Sequence, residues 1–137
     1  MHIPRQILIV DDDPAIHDLL VAMLEGKCWD LTSVADAECA LIQIGTQSYD
    51  LVLADVNLPG MNGLNLLMRI SDIRPNIPVV IMTADEMPTH VVQLLRERAF
   101  GYLSKPFSRK AVTDLITKAL SGAAEPHGRE MFFARPN

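Results

Sequence analysis

Ile7-Leu8-Ile9-Val10-Asp11-Asp12-Asp13-Pro14 decides the fold. The run Ile7 to Val10 is apolar without alternation and mostly β-branched, which marks a strand buried on both faces rather than on one. It stops abruptly on consecutive carboxylates and a proline, so the carboxyl end of this strand meets charge. Immediately afterwards Ile16, Leu19, Leu20, Met23 and Leu24 recur at i, i+3, i+4, i+7 and i+8, one face of an amphipathic helix. Pro14 suits the first turn of that helix, where a missing N–H costs nothing. Asp13 suits its N-cap, where a carboxylate accepts from exposed backbone N–H groups at the positive end of the dipole.

The same order then repeats along the chain. Trp29 to Val34 reads as a second strand, and Asp36 to Ile44 as a second helix with Ala37, Ala40, Leu41 and Ile44 on one side. Leu51 to Ala54 is a third strand ending at Asp55, and Pro59-Gly60-Met61-Asn62-Gly63 is a loop. Leu64, Leu67 and Met68 mark the third helix; Pro75-Asn76-Ile77-Pro78 turns into a fourth strand, Val79 to Met82, ending at Thr83. Met87 to Arg98 carries Val91, Leu94 and Leu95 at helical spacing, and Phe100 to Ser104 is a fifth strand before Lys105-Pro106. Val112, Leu115, Ile116, Ala119 and Leu120 complete a fifth helix. Short, continuously apolar strands alternating with amphipathic helices predict an α/β domain, a parallel sheet covered by helices on both faces.

The chain has 137 residues, 49% hydrophobic and 21% charged, with a formal net charge of −5, which describes one soluble globular domain. An acidic balance argues against direct nucleic-acid binding by this domain. No apolar run approaches the roughly 18 residues of a membrane helix, and Met1-His2-Ile3-Pro4-Arg5 does not open a signal peptide, so a cytoplasmic location is expected. Cys28 and Cys39 form no C-x-x-C and read as reduced, buried thiols. His2, His17, His90 and His127 have no partner at ligand spacing and read as solvated, which disfavours a histidine phosphocarrier. From Ser121-Gly122-Ala123-Ala124 to Gly128 the composition is that of a linker, and Met131-Phe132-Phe133 turns apolar again. Residues 122–137 are thus either a ragged tail or the start of a second domain that has been removed.

In an open parallel α/β sheet ligands bind outside the carboxyl ends of the strands. Those ends offer Asp11 and Asp12, Asp55, Thr83 followed by Ala84, and Lys105, while the second strand offers nothing comparable. They converge if the second strand lies at an edge. Three carboxylates in one pocket repel unless a cation neutralises them, and oxygen-only ligands select a hard ion, Mg²⁺ or Mn²⁺. A lysine, a hydroxyl and a backbone N–H beside that ion make a cradle for phosphoryl oxygens. The residues therefore suit phosphoryl transfer to or from a carboxylate.

Val10-Asp11-Asp12, Asp55-Val56-Asn57-Leu58-Pro59-Gly60-Met61-Asn62-Gly63, Met82-Thr83-Ala84 and Tyr102-Leu103-Ser104-Lys105-Pro106-Phe107 together resemble the receiver domain of two-component response regulators, over about Gln6 to Ser121. The resemblance implies a flavodoxin-like (βα)5 fold with strand order 2-1-3-4-5. It implies that Asp55 accepts a phosphoryl group from a sensor histidine kinase or phosphotransfer protein. Asp12 would touch Mg²⁺ directly, Asp11 mainly through water, and the Asn57 backbone carbonyl would add a ligand. Lys105 would pair with the phosphoryl group, and Thr83 with the Ala84 N–H would receive its other oxygens. Tyr102 would be the rotating partner of Thr83, switching a surface of the fourth helix, fifth strand and fifth helix. Met87, His90, Lys110 and Asp114 would be contact residues there for a second copy or a linked output domain. Such a domain catalyses only its own phosphorylation and dephosphorylation. The Lys105-Pro106 bond is expected to be cis.

One stretch departs from the family pattern. Where the family commonly has Ala-Gly-Ala before the fifth strand, this chain has Glu97-Arg98-Ala99. A left-handed cap without glycine costs about 1 kcal/mol or more, so the fourth helix is expected to be displaced or to end differently. A haloacid-dehalogenase-type phosphatase shares the aspartate, Mg²⁺, hydroxyl and lysine, and Asp11-Asp12-Asp13 contains its D-x-D, but Ala15 stands where that family needs Thr or Val. No Ser/Thr-rich flavodoxin loop and no G-x-G-x-x-G follows the first strand. A pseudo-receiver, purely an interaction module, is opposed by the complete acidic set.

Overall fold

A computed structural model describes residues 3–84, 87–121 and 132–134 of the chain. Strand β1 (Arg5–Val10) leads into helix α1 (Pro14–Met23), followed by β2 (Trp29–Val34), α2 (Ala37–Thr46), β3 (Leu51–Asp55) and α3 (Gly63–Ile73). Then come β4 (Val79–Thr83), α4 (Thr89–Arg98), β5 (Gly101–Ser104), α5 (Arg109–Leu120) and a short β6 (Phe132–Ala134). The sheet order is β2-β1-β3-β4-β5-β6, and every neighbouring pair is parallel. The flavodoxin-like order 2-1-3-4-5 is therefore present, and the expected five-stranded sheet carries a sixth strand at its β5 edge. That strand falls in the stretch read from sequence as linker or tail; the rest of the stretch, 122–131 and 135–137, lies outside the described residues.

Successive strand residues point to opposite faces, and this divides the core in two. Ile7, Ile9, Leu51, Leu53, Val80, Met82 and Leu103 face α1 and α5, meeting Leu20, Leu24, Val112, Leu115 and Ile116. Leu8, Val10, Val52, Ala54, Val79 and Ile81 face the other helices, meeting Ala37, Ala40 and Ile44 of α2, Leu66, Leu67 and Ile70 of α3, and Leu95 of α4. The unalternating strands are explained: both faces of the central sheet are covered.

Local chemistry sets the helix starts. Asp13, Asp36, Asn62 and Ser108 cap α1, α2, α3 and α5, their side chains accepting from Ala15, Cys39, Asn65 and Ala111 N–H. Helix α4 begins at Thr89, after Pro88, without a side-chain cap. Its far end resolves the missing glycine. Ala99 takes φ −92° and ψ 148°, extended backbone, while its N–H still donates to Leu95 O at 2.7 Å. No non-glycine residue has positive φ among the described residues, so the left-handed cap and its cost do not arise.

Two sequence readings are corrected. Cys28 and Cys39 are exposed, not buried: α2 turns Ala37, Ala40 and Ile44 inward, which leaves Cys39 outside, and Cys28 precedes β2 beyond the core. His17 is half-buried and its Nδ1 meets Ser33 Oγ across from β2, so it is not simply solvated. His90 is exposed as expected; His2 and His127 lie outside the described residues.

Candidate functional site

Because β2 is an edge strand, the carboxyl ends of β1, β3, β4 and β5 stand side by side. Backbone bonds carry the ladders past the strand ends. Asp11 N–H donates to Val34 O at 3.1 Å, Val56 N–H to Met82 O at 2.9 Å, and Lys105 N–H to Thr83 O at 2.7 Å. The Lys105-Pro106 peptide bond is cis, as expected from the sequence.

Onto this frame the acidic side chains are fixed by short local bonds. Asp11 is 7% exposed; its Oδ1 accepts from Asp13 N–H at 2.9 Å, and its Oδ2 accepts from Lys105 Nζ at 2.9 Å. Asp55, also 7% exposed, accepts from Asn57 N–H through Oδ1 at 3.1 Å and from Lys105 Nζ through Oδ2 at 3.4 Å. Lys105 thus bridges two carboxylates that would otherwise repel. Asp12 is exposed, and one carboxylate oxygen each from Asp11, Asp12 and Asp55 lie within 4.8 Å of one another. Asp13 turns away to its capping role.

Burial pushes the Asp55 carboxyl above the usual carboxylate range; the Asn57 N–H and the Lys105 charge oppose that rise, and the nearby Asp11 charge adds to it. For Lys105 burial acts to lower the ammonium's pKa, but the hydrogen bond and charge of Asp11, with Asp55 behind them, outweigh it and leave the pKa raised. The ammonium therefore stays charged at neutral pH.

Thr83 closes β4 at 2% exposure, opposite Ser104 in register, and Ala84 follows it at the surface. Tyr102 lies opposite Ile81, two residues back from Thr83, so Thr83 and Tyr102 belong to the same face of the sheet. It is half-buried against the core on the α2, α3 and α4 side.

One residue of the site was hidden in what reads from sequence as a plain loop. Gly63 N–H donates to Val56 O at 3.0 Å, and a Cβ at Gly63 would stand 2.2 Å from Asp55 O and 2.8 Å from Val56 Cα. The glycine is required by contact rather than by a turn, since among the described residues only Gly26 and Gly60 have positive φ. It lets the first turn of α3 press against the backbone that carries Asp55. Nothing in the local pattern distinguishes it from a turn glycine.

A doubly wound parallel sheet with three carboxylates and a lysine at its carboxyl edge has the donor set that a divalent cation and phosphoryl oxygens require. The sequence pattern of the response regulator receiver domain matches residues 7–117, and the chain belongs to that family. The chain is 36% identical over 117 residues to the response regulator FleR of Pseudomonas aeruginosa, covering 85% of this chain and 25% of that protein. It is 37% identical over 116 residues to the DNA-binding response regulator MtrA of Mycolicibacterium smegmatis, covering 85% and 50%. The chain thus spans about a quarter to a half of these relatives' lengths. A CheY-like receiver domain from Methanospirillum hungatei superposes with TM-score 0.80 at 30% identity, covering 87% of this chain and 95% of the other. The receiver domain of a sensor histidine kinase of Pseudomonas aeruginosa, which has a magnesium ion coordinated in its active-site cleft, superposes with TM-score 0.78 at 26% identity, covering 87% and 99%. Receiver domains are signalling modules of two-component systems, and they bind Mg²⁺ in an acidic site of this kind. Response regulators pair with histidine kinases and often carry output domains. No helix among the described residues is long and apolar enough to cross a membrane.

Proposed function

We propose that residues 6–121 form a phosphorylation-activated receiver in which Asp55 takes a phosphoryl group from a histidine kinase or a phosphotransfer protein. The observation that carries the reading is Lys105 Nζ placed 2.9 Å from Asp11 and 3.4 Å from Asp55, beside the oxygen trio completed by Asp12. The donor set fits Mg²⁺, or Mn²⁺: it is all oxygen, with no imidazole or thiolate near it among the described residues. Asp11, Asp12, Asp55 and the Asn57 backbone carbonyl would hold the ion, which supplies charge neutralisation to a transferring phosphoryl group.

Asp55 Oδ attacks phosphorus; the new O–P bond forms as the P–N bond of the donor phosphohistidine breaks and its electron pair returns to the imidazole. Lys105 holds one phosphoryl oxygen by its ammonium, while the Thr83 hydroxyl and the Ala84 N–H receive others. As Thr83 moves toward the phosphoryl group, Tyr102, on the same sheet face, turns into the space released. The packing of α4, β5 and α5 changes in consequence, with Met87, His90, Lys110 and Asp114 on the surface that meets a second copy or an output domain. Apart from Phe132–Ala134, which pair in the sheet, residues 122–137 serve as a linker or tail toward such a domain. Nucleic-acid contact belongs to a linked output domain and not to this acidic one, no membrane contact is needed, and the setting is cytoplasmic.

Incubation with Mg²⁺ and acetyl phosphate tests the reading. The wild type is expected to gain one acid-stable, base-labile phosphate, and chelation of the divalent ion to abolish labelling. Asp55→Asn should lose the label while its circular dichroism stays unchanged. Labelling that persists in Asp55→Asn sinks the assignment, and catalytic hydrolysis of a phosphomonoester such as p-nitrophenyl phosphate would make the protein a phosphatase instead.

A further inference from the structure

The two margins of the sheet are built differently. β2, Trp29-Asp30-Leu31-Thr32-Ser33-Val34, carries Asp30, Thr32 and Ser33, polar side chains of the kind that discourage pairing with another chain. β5, Gly101-Tyr102-Leu103-Ser104, has no charged residue and no proline. Left bare, it would offer a row of unpaired N–H and C=O groups to any extended segment. In this chain it is not bare: β6 pairs with it in parallel, Phe132 opposite Gly101, Phe133 opposite Tyr102 and Ala134 opposite Leu103. The segment thus adds one more βαβ unit beyond the five-stranded plan of the family, and it does so on the strand between α4 and α5.

We propose that residues 132–134 are an edge strand in cis that occupies the β5 margin and keeps a second copy from pairing there, so that the α4, β5 and α5 surface is available only when β6 leaves. The role given to that surface rests on the receiver function proposed above; the occupancy of the edge does not. Position supports the coupling. β5 is held on its inner side by β4, with Thr83 opposite Ser104, and it runs straight into Lys105. On its outer side the strand's centre, Tyr102, is in register with Phe133. A change in β5 that follows from the pocket is therefore felt by the ladder that holds β6. A short edge strand has few bonds to lose and belongs to the least stable part of such a fold.

The test uses the whole chain. Neighbouring residues of a strand direct their N–H groups to opposite edges, so the double substitution F132P/F133P removes whichever N–H faces β5. The variant F132A/F133A keeps both N–H groups and separates loss of backbone pairing from loss of the rings. Amide exchange in unphosphorylated protein is expected to be about tenfold faster at the outward amides of β5 in the proline variant than in wild type. Sedimentation should show the proline variant dimerising at concentrations where wild type is monomeric. Equal β5 exchange in the two proteins overturns the edge strand. Faster exchange with identical sedimentation overturns its role in excluding a second copy. Both measurements are made without a phosphodonor, so a failure of Asp55 labelling counts against the receiver function and not against the edge strand.

Discussion

The end of β3 and helix α4 are held in opposite ways. Around Asp55 the backbone is pinned on every side: Val56 to β4, Gly63 to Val56, Asn57 to the Asp55 carboxylate, with Gly63 pressed against Asp55 O. α4 has no side-chain cap, and Leu95 is its one fully buried residue, with Val91 and Val92 partly packed. α5, on the other side of β5, has the Ser108 cap and buries Val112, Leu115, Ile116, Ala119 and Leu120. On the receiver function proposed above, a stiff acceptor and a lightly anchored helix are the arrangement a switch needs. A change at the pinned end is not absorbed there, and the element with the smallest opening free energy responds.

The largest expected effect comes from loosening the pinned end. Gly63→Ala forces a Cβ onto Asp55 O and should cost about 3 kcal/mol by overpacking, with a matching fall in the denaturant midpoint and slower labelling of Asp55. Unchanged stability and labelling would show that the β3 end is not stiff.

Next in size is the anchor of α4. Leu95→Ala should remove about 2 kcal/mol, the low end for a buried leucine because a lightly packed helix can collapse onto the gap. Hydrogen exchange should accelerate in α4 while α5 keeps its protection. Equal acceleration in both helices breaks the contrast between them.

The smallest concerns Arg98, whose half-buried guanidinium lies 3.8 Å from the exposed Asp72 of α3. Arg98→Ala should change stability by less than about 0.5 kcal/mol. A larger loss in thermal unfolding would mean that α4 is fastened to α3 by charge rather than by Leu95.

Much of this was legible in the residues. The unalternating strands Ile7 to Val10, Leu51 to Ala54 and Val79 to Met82 announced a sheet covered on both faces, and Asp13 announced its cap. Asp11, Asp12, Asp55 and Lys105 stood out because strand ends in a parallel sheet share one edge, so residues far apart in the chain have one meeting place. Gly63 did not stand out, since its reason is an atom of β3 that sequence distance conceals. The exposure of Cys39 was missed even though the face formed by Ala37, Ala40, Leu41 and Ile44 already leaves it outside, because the residue type was weighed over its place on the helix. The fourth helix was expected to be displaced or to end differently because glycine was missing, and it does end differently: the chain avoids the left-handed conformation by leaving the helix extended at Ala99.

By itself, then, the amino-acid order determined the five alternating strands and helices from β1 to α5, which faces they bury, and which charged residues lie at the strand ends, because each of these follows from periodicity and turn chemistry within a few residues. Tertiary structure alone decided that Lys105 spans Asp11 and Asp55 at hydrogen-bonding distance, that Gly63 touches the Asp55 carbonyl, and that Phe132–Ala134 pairs beside β5. Those are contacts between segments separated by many residues, whose geometry depends on how helices and strands pack and not on any local preference.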